Sequence, residues 1–161
     1  MANPNTAARP NFGSLLDEAP TEVDRPKPLP EGSYLWIIQG MPRYDKSSKK
    51  GTEFTEFMVK CLAAGDDVDA EMLAEMGGIE DKTQKLTFYH TEGSIFRLDE
   101  FHEHCGLDLN DAKSRRQRNE DCVNAQFVGY IRHEASNDGQ SIFARIGRTA
   151  SADDFNQQEN A

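Results

Sequence analysis

Long apolar runs are missing from this sequence. None exceeds the stretch around Leu35-Trp36-Ile37-Ile38, far short of the ~20 residues that a membrane-spanning helix needs. The opening residues, MANPNTAARPNFGS, have neither a basic start nor an apolar centre. No secretory leader is therefore expected, and the chain is expected to be soluble and cytoplasmic. Cysteine is scarce and odd in number: Cys61, Cys105 and Cys122 contain no Cys-Xaa-Xaa-Cys pair. That argues against a disulfide framework and a structural zinc site, and for reduced, mostly buried thiols. The nucleophile elbow, the phosphate-binding loop, the His-Glu-Xaa-Xaa-His pair and the dinucleotide fingerprint are all absent, so an enzyme is not expected, nor a cofactor. Positive charge is in deficit: 18 Lys and Arg against 28 Asp and Glu give a formal charge of −10 over 161 residues. Taken alone, this sum argues against a nucleic-acid ligand, but the cations are unevenly distributed.

What is present reads as one domain between two polar tails. Six of the seven prolines fall within the first 30 residues, and residues 1–29 are expected to be a flexible N-terminal segment. Its one apolar island, Phe-Gly-Ser-Leu-Leu from Phe12 to Leu16, would dock on the domain or on a partner. Residues 30–149 carry the periodic signals. Strands are expected over 34–41 and 53–62, joined by the polar hairpin "PRYDKSSKKGT". An acidic insertion over 64–82 holds a short helix with Asp67 or Asp69 as N-cap. A third strand, 85–90, puts Leu86 and Phe88 on one face and Lys85, Thr87 and Tyr89 on the other.

A helix then follows, with Ser94 as N-cap, Ile95, Leu98, Phe101 and Cys105 as its stripe, and Gly106 as its left-handed stop. The charged connector 110–121 has room for one helical turn. Strands over 123–134 and 141–148, linked through Asp138-Gly139, complete the domain. Residues 150–161 are expected to be a disordered acidic tail.

Three strands, a helix and two strands is the order of an OB-fold. The expected class is all-β with one main helix (α+β): a five-stranded barrel, a helix between strands 3 and 4, and an extra short helix between strands 2 and 3. An SH3-like barrel normally lacks a long helix at that position, and a β-sandwich needs more strands.

Three segments carry a resemblance: "PLPEGSYLWIIQGMPRYDKSSKKGTEFTEFMVKC", "TFYHTEGSIFRLDEFHEHCGLDL" and "AQFVGYIRHEASNDGQSIFARIG". Their Pro-Xaa-Gly-Xaa-Tyr start, Lys-Gly hairpin, helix ending in Gly-Leu and two-strand finish resemble the OB-fold single-stranded-DNA-binding proteins of tailed bacteriophages, over residues 28–149. The resemblance implies a protein that coats single strands exposed in DNA replication and recombination. The acidic insertion departs from that pattern, and it would shade part of the binding face or recruit a partner.

Single-strand binding without sequence preference needs a cationic track for phosphates and flat aromatic faces for bases. The first hairpin supplies Arg43, Lys46, Lys49 and Lys50, with Tyr44 among them. The outward strand faces supply Trp36, Phe54, Tyr89, Tyr130 and Phe143, interleaved with Lys60, Lys85, Arg132 and Arg145. Each aromatic has a rival role in packing, Trp36 most of all. The densest basic run, "KSRRQR" (113–118), either extends the track or is a solvated connector. The tail "SADDFNQQENA" either docks a replication or recombination partner or is an inert terminus.

His102, His104 and Cys105 form no metal site: the two histidines lie two apart on a helix and face opposite sides. The acidic cluster at 66–71 lacks the calcium-loop spacing and reads as a helix start. Homodimerisation would be useful, because a lone barrel grips a short stretch weakly. The competing reading is a non-enzymatic protein–protein adaptor or structural barrel that uses its acidic surface.

Overall fold

The structure is a computed structural model, and it describes residues 27–159. The apolar island at 12–16 and the rest of the expected N-terminal segment up to residue 26 lie outside the described residues. Among the described residues five strands form: β1 (Gly32–Lys46), β2 (Glu53–Ala64), β3 (Thr83–Tyr89), β4 (Gln126–Ala135) and β5 (Ile142–Ser151). The helices described with them are α1 (Ala70–Glu75), α2 (Phe96–His104), α3 (Arg115–Asp121) and α4 (Ala152–Glu159). All neighbouring strands pair antiparallel in the order β3-β2-β1-β4-β5. The molecule is therefore mostly sheet with a few helices. Among the described residues no backbone ladder joins β3 to β5.

Period-two alternation sets which side chains face inward. Trp36 and Ile38 of β1, Phe57, Val59 and Cys61 of β2, and Leu86 and Phe88 of β3 meet Phe127 and Ile131 of β4 and Ile146 of β5. Helix α2 adds Leu98 and Phe101 to this core. The Phe101 ring lies 4.9–5.2 Å from the rings of Phe57, Phe88 and Phe127. Burying one such ring stabilises the fold by roughly 1.5–3 kcal/mol. Gly106 ends α2 at φ +90, and the amide of Leu107 returns to the carbonyl of His102 at 3.1 Å, as the sequence predicts.

Several expected boundaries move, each for a local reason. Leu29 is buried in the core and the Tyr34 hydroxyl donates to the Pro30 carbonyl at 2.6 Å, so the folded unit starts before residue 30. Burial holds the Tyr34 hydroxyl pKa above its ordinary value. β1 does not stop at Met41. Gly40, Met41 and Pro42 bulge opposite Phe57, between the Gln39–Met58 and Arg43–Glu56 pairs, and the strand resumes as a hairpin arm to Lys46. Gly40 supplies the left-handed φ of +69, and Pro42 needs no ladder donor at a bulge.

In the insertion, Asp69 caps α1, accepting from the amides of Glu71 and Met72. Asp67 instead ties the insertion to β1, accepting from the Ser33 amide and hydroxyl at 2.9 and 2.6 Å. Ser94 is not the N-cap of α2: that position is Ile95, and Ser94 donates its hydroxyl to the Tyr89 carbonyl at 3.1 Å.

The connector 110–121 contains two turns of helix, α3, capped by Ser114 on the Gln117 amide at 3.1 Å. The expected disordered tail is instead the end of β5 followed by α4. Phe155 is only 3% exposed, and both it and Val128 are buried outside the main core. Val128 follows the inward Phe127 and so faces the other side of the sheet.

Candidate nucleic-acid interface

The sheet face opposite the core is built from the even residues of β2 and their partners. Register places Asp45, Phe54 and Tyr89 in one row, Arg43, Glu56 and Thr87 in the next, and Gln39, Met58 and Lys85 in a third. Lys60 continues the face opposite Ile37 and Thr83. Tyr89 is 46% exposed and forms a T-shaped pair with Phe54, with centroids 5.9 Å apart. Phe54 itself is only 8% exposed. It lies beneath the guanidinium of Arg43, 5.4 Å from the ring centroid, so it is a floor for Arg43 rather than an open stacking surface.

β5 meets this face from the far side. Met58 and Lys85 share a cleft of about 350 Å³ with Phe143 and Arg145. Phe143 is 45% exposed. On the β4–β5 pair, Arg132 stands directly opposite Arg145, an unfavourable juxtaposition of like charge. Arg145 is partly neutralised by Glu134 at 3.1 Å, whereas Arg132 has no ion pair among the described residues. Next to them Tyr130 is covered by the guanidinium of Arg148, 4.0 Å from its ring.

The hairpin arm divides the basic residues expected there. Arg43 is held by Asp45 at 2.6 Å and Glu56 at 3.2 Å, and these hydrogen bonds raise its pKa further. Its charge is largely cancelled at close range. Lys46, Lys49, Lys50 and Lys85 are exposed and Lys60 is half-buried, and none of the five has an ion pair among the described residues. At the tip the Ser47 amide donates to the Thr52 carbonyl at 2.8 Å, and Gly51 takes the left-handed φ of +65 that closes the turn. Tyr44 points the other way. It sits opposite Thr55 on the inner side of the arm, with the guanidinium of Arg116 4.7 Å over its ring.

Trp36 does not belong to this face. It is wholly buried, tilted against Tyr34 at 5.9 Å, and its indole donates to the Gly129 carbonyl at 3.2 Å. The even residues of β1 point inward at this register, and the approach is so close that a Cβ on Gly129 would lie 2.8 Å from the indole nitrogen. The expected role of Trp36 in binding is corrected to one in packing.

The run 113–118 is mostly consumed by structure. Lys113 pairs with Asp121, Arg115 grips Asp99 through two bonds of 2.8 and 2.9 Å, and Arg118 donates to the carbonyls of Leu109 and Asp111. Arg115 holds the Asp99 carboxyl below its usual pKa. Arg116 alone of these four cations has neither a hydrogen bond nor an ion pair among the described residues. Met58, Arg116 and Arg148 are not evident as site residues from the sequence. Met58 gives no polar signal, Arg116 is indistinguishable from its neighbours in the run, and Arg148 falls at the expected end of the last strand, which in fact continues to Ser151.

The two histidines of α2 go to different partners: His102 to Asn119 at 2.7 Å and His104 to Thr149 at 2.8 Å. Among the described residues no three His, Cys, Asp or Glu side chains converge as metal ligands. Burial pushes the Cys61 thiol up to about 12, and the Cys105 thiol is raised by hydrogen bonding with Cys122 and by burial. No described helix is long and apolar enough to cross a membrane. Compared with protein-family models and with curated proteins, the chain has no match to either.

Proposed function

We propose that this chain is an OB-type protein that binds single-stranded DNA on the outer face of β1–β3, continued across the cleft onto β5. The observation that carries the reading is the meeting of Lys85, Arg145 and the exposed ring of Phe143 in that one cleft. Tyr89 lies farther along the same face of β3, and Lys60 on the same face of β2. The strand order and the position of α2 between β3 and β4 support a barrel whose β3 and β5 edges face each other. The face offers what a single strand requires: cations spaced along open aromatic rings, of which Lys60, Lys85 and Arg132 have no acidic partner among the described residues and Arg145 has one, Glu134, in a chain whose net charge is −10. Arg132 facing Arg145 is relieved when an anion lies between them. The resemblance to phage proteins points the same way, toward coating strands exposed in replication or recombination. No catalytic step is invoked.

The test is anisotropy of a labelled oligo(dT) titrated with the full chain, with duplex of matched length as control. Wild type is expected to bind the single strand and to release it as salt rises. Lys85→Glu with Arg145→Glu is expected to weaken binding by about 100-fold or more, because two attractions to phosphate become two repulsions. Tyr89→Ala is expected to cost about 1–3 kcal/mol. No binding at low salt, or unchanged affinity in the charge-reversed protein, would overturn the reading in favour of an acidic-surface adaptor.

A further inference from the structure

Behind the hairpin arm, on the side away from Tyr89, lies a larger cavity of about 390 Å³ between β1–β2, α2 and α3. That volume falls at the lower end of small-ligand pockets, which begin near ~300 Å³. Its floor is apolar, from Ile95 and Leu98. Tyr44 forms one wall, and the buried Asn119 another. Asn119 is oriented from both ends: its oxygen accepts from His102 Nε2 at 2.7 Å, and its nitrogen donates to the Tyr44 hydroxyl at 3.2 Å. An amide nitrogen carries two hydrogens, so one Asn119 N–H and the Tyr44 O–H remain to serve a ligand. Thr55 and His90 are bonded to each other at 2.6 Å on the same wall.

Charge at the rim is polarised. Arg115 is neutralised by Asp99, but Arg116 has no carboxylate partner among the described residues. Glu92, also on the lining, disfavours an anion at its own position. A second cleft of about 240 Å³ shares Tyr44, His90 and Arg116 with the cavity and reaches Phe54 and Lys46. The cavity is thus connected to the outer face around the arm.

We propose that this cavity binds one nucleotide, with its base over Ile95 and Leu98, a base carbonyl facing Asn119 and the Tyr44 hydroxyl, and its phosphate on Arg116. The donor-rich wall suits the carbonyls of a pyrimidine. The nucleotide is either a unit of the bound strand or a free monophosphate. Only the strand's path around the arm rests on the function proposed above; the pocket itself does not.

The test is a pair of ¹H–¹⁵N titrations of the full chain, one with dTMP and one with oligo(dT). Both are expected to move the amide signals of Thr91, Ile95 and Asn119. Arg116→Ala, at an exposed position, is expected to weaken the dTMP response by about tenfold or more while leaving the rest of the spectrum in place. Lys85→Glu with Arg145→Glu is expected to leave the dTMP response intact even as oligo(dT) affinity falls. Movement with dTMP but not with oligo(dT) supports the pocket and identifies a free nucleotide as its ligand. No movement of these signals with dTMP, or movement that survives Arg116→Ala, overturns the proposal. Should the charge reversal leave oligo(dT) binding unchanged, the outer-face reading fails while the pocket is judged on dTMP alone.

Discussion

His102 is a titratable side chain with no exposed surface, bonded to Asn119 through one ring nitrogen and without a partner among the described residues at the other. Burial holds its pKa below the ordinary value of 6.5, and the bond to Asn119 only partly opposes this. The sign of the linkage follows. Below about pH 6.5 the unfolded chain takes up a proton that the native imidazole refuses, so this contribution is complete above that pH and declines as the solution is acidified. The urea midpoint is expected to fall between about pH 7.5 and about pH 5, with a slope from this group of no more than about 1.4 kcal/mol per pH unit. His102→Gln keeps a donor toward Asn119 and is expected to flatten that slope. An unchanged slope would assign the effect elsewhere. The lowered carboxylates, Asp99 and Asp111 among them, lose their contributions only in more acidic solution, below their ordinary value of 3.8.

Among the elements that rest on the sheet, α4 is held by little. Its one described buried side chain is Phe155, which lies with Val128 outside the main core. Phe155→Ala is expected to lower stability by about 1.5–3 kcal/mol, and to speed hydrogen exchange in α4 while β1 and β4 keep their protection. Loss of protection throughout the sheet would instead make α4 part of the cooperative core. This helix also marks where the legibility of the sequence ends. The five strands and α2 are readable because each carries an apolar repeat of period two or 3.6, such as Phe57, Val59 and Cys61. α3 and α4 carry no such stripe: α3 buries only Asn119, and α4 has a single described buried side chain, Phe155, on a helix that packs against β4, β1 and β5. The candidate site divides the same way. Alternation correctly places Lys60, Lys85, Tyr89, Phe143 and Arg145 outward. It cannot show that Trp36 turns inward, that Arg43 is cancelled by Asp45 and Glu56, or that Arg116 has no acidic partner among the described residues, because these depend on register and on pairing across loops.

At the scale of the whole molecule the charge is acidic, yet the outer face collects cations that have no acidic partners among the described residues, including Lys60, Lys85 and Arg132. Long-range repulsion by the acidic remainder and local attraction by this face act in opposite directions, and salt screens both. The release of counterions from a single strand nevertheless gives a definite expectation. The plot of log affinity against log salt concentration should fall, and neutralising Lys60 or Lys85 by alanine should make it shallower by ~0.7 for each phosphate no longer neutralised. An unchanged slope in both variants would place the phosphates elsewhere on the surface.

The bulge at Gly40, Met41 and Pro42 has a consequence for how the protein can change over time. It absorbs the offset between the arm and the sheet within three residues, so the pairing of Trp36 with Cys61 and Phe127 does not depend on what lies beyond it. The tip of the arm, beyond Lys46, is in this sense a detachable head on a fixed handle: its length and charge are free to be exchanged without disturbing the parts that fold, whereas Tyr44, bonded to Asn119, keeps the base of the arm in place.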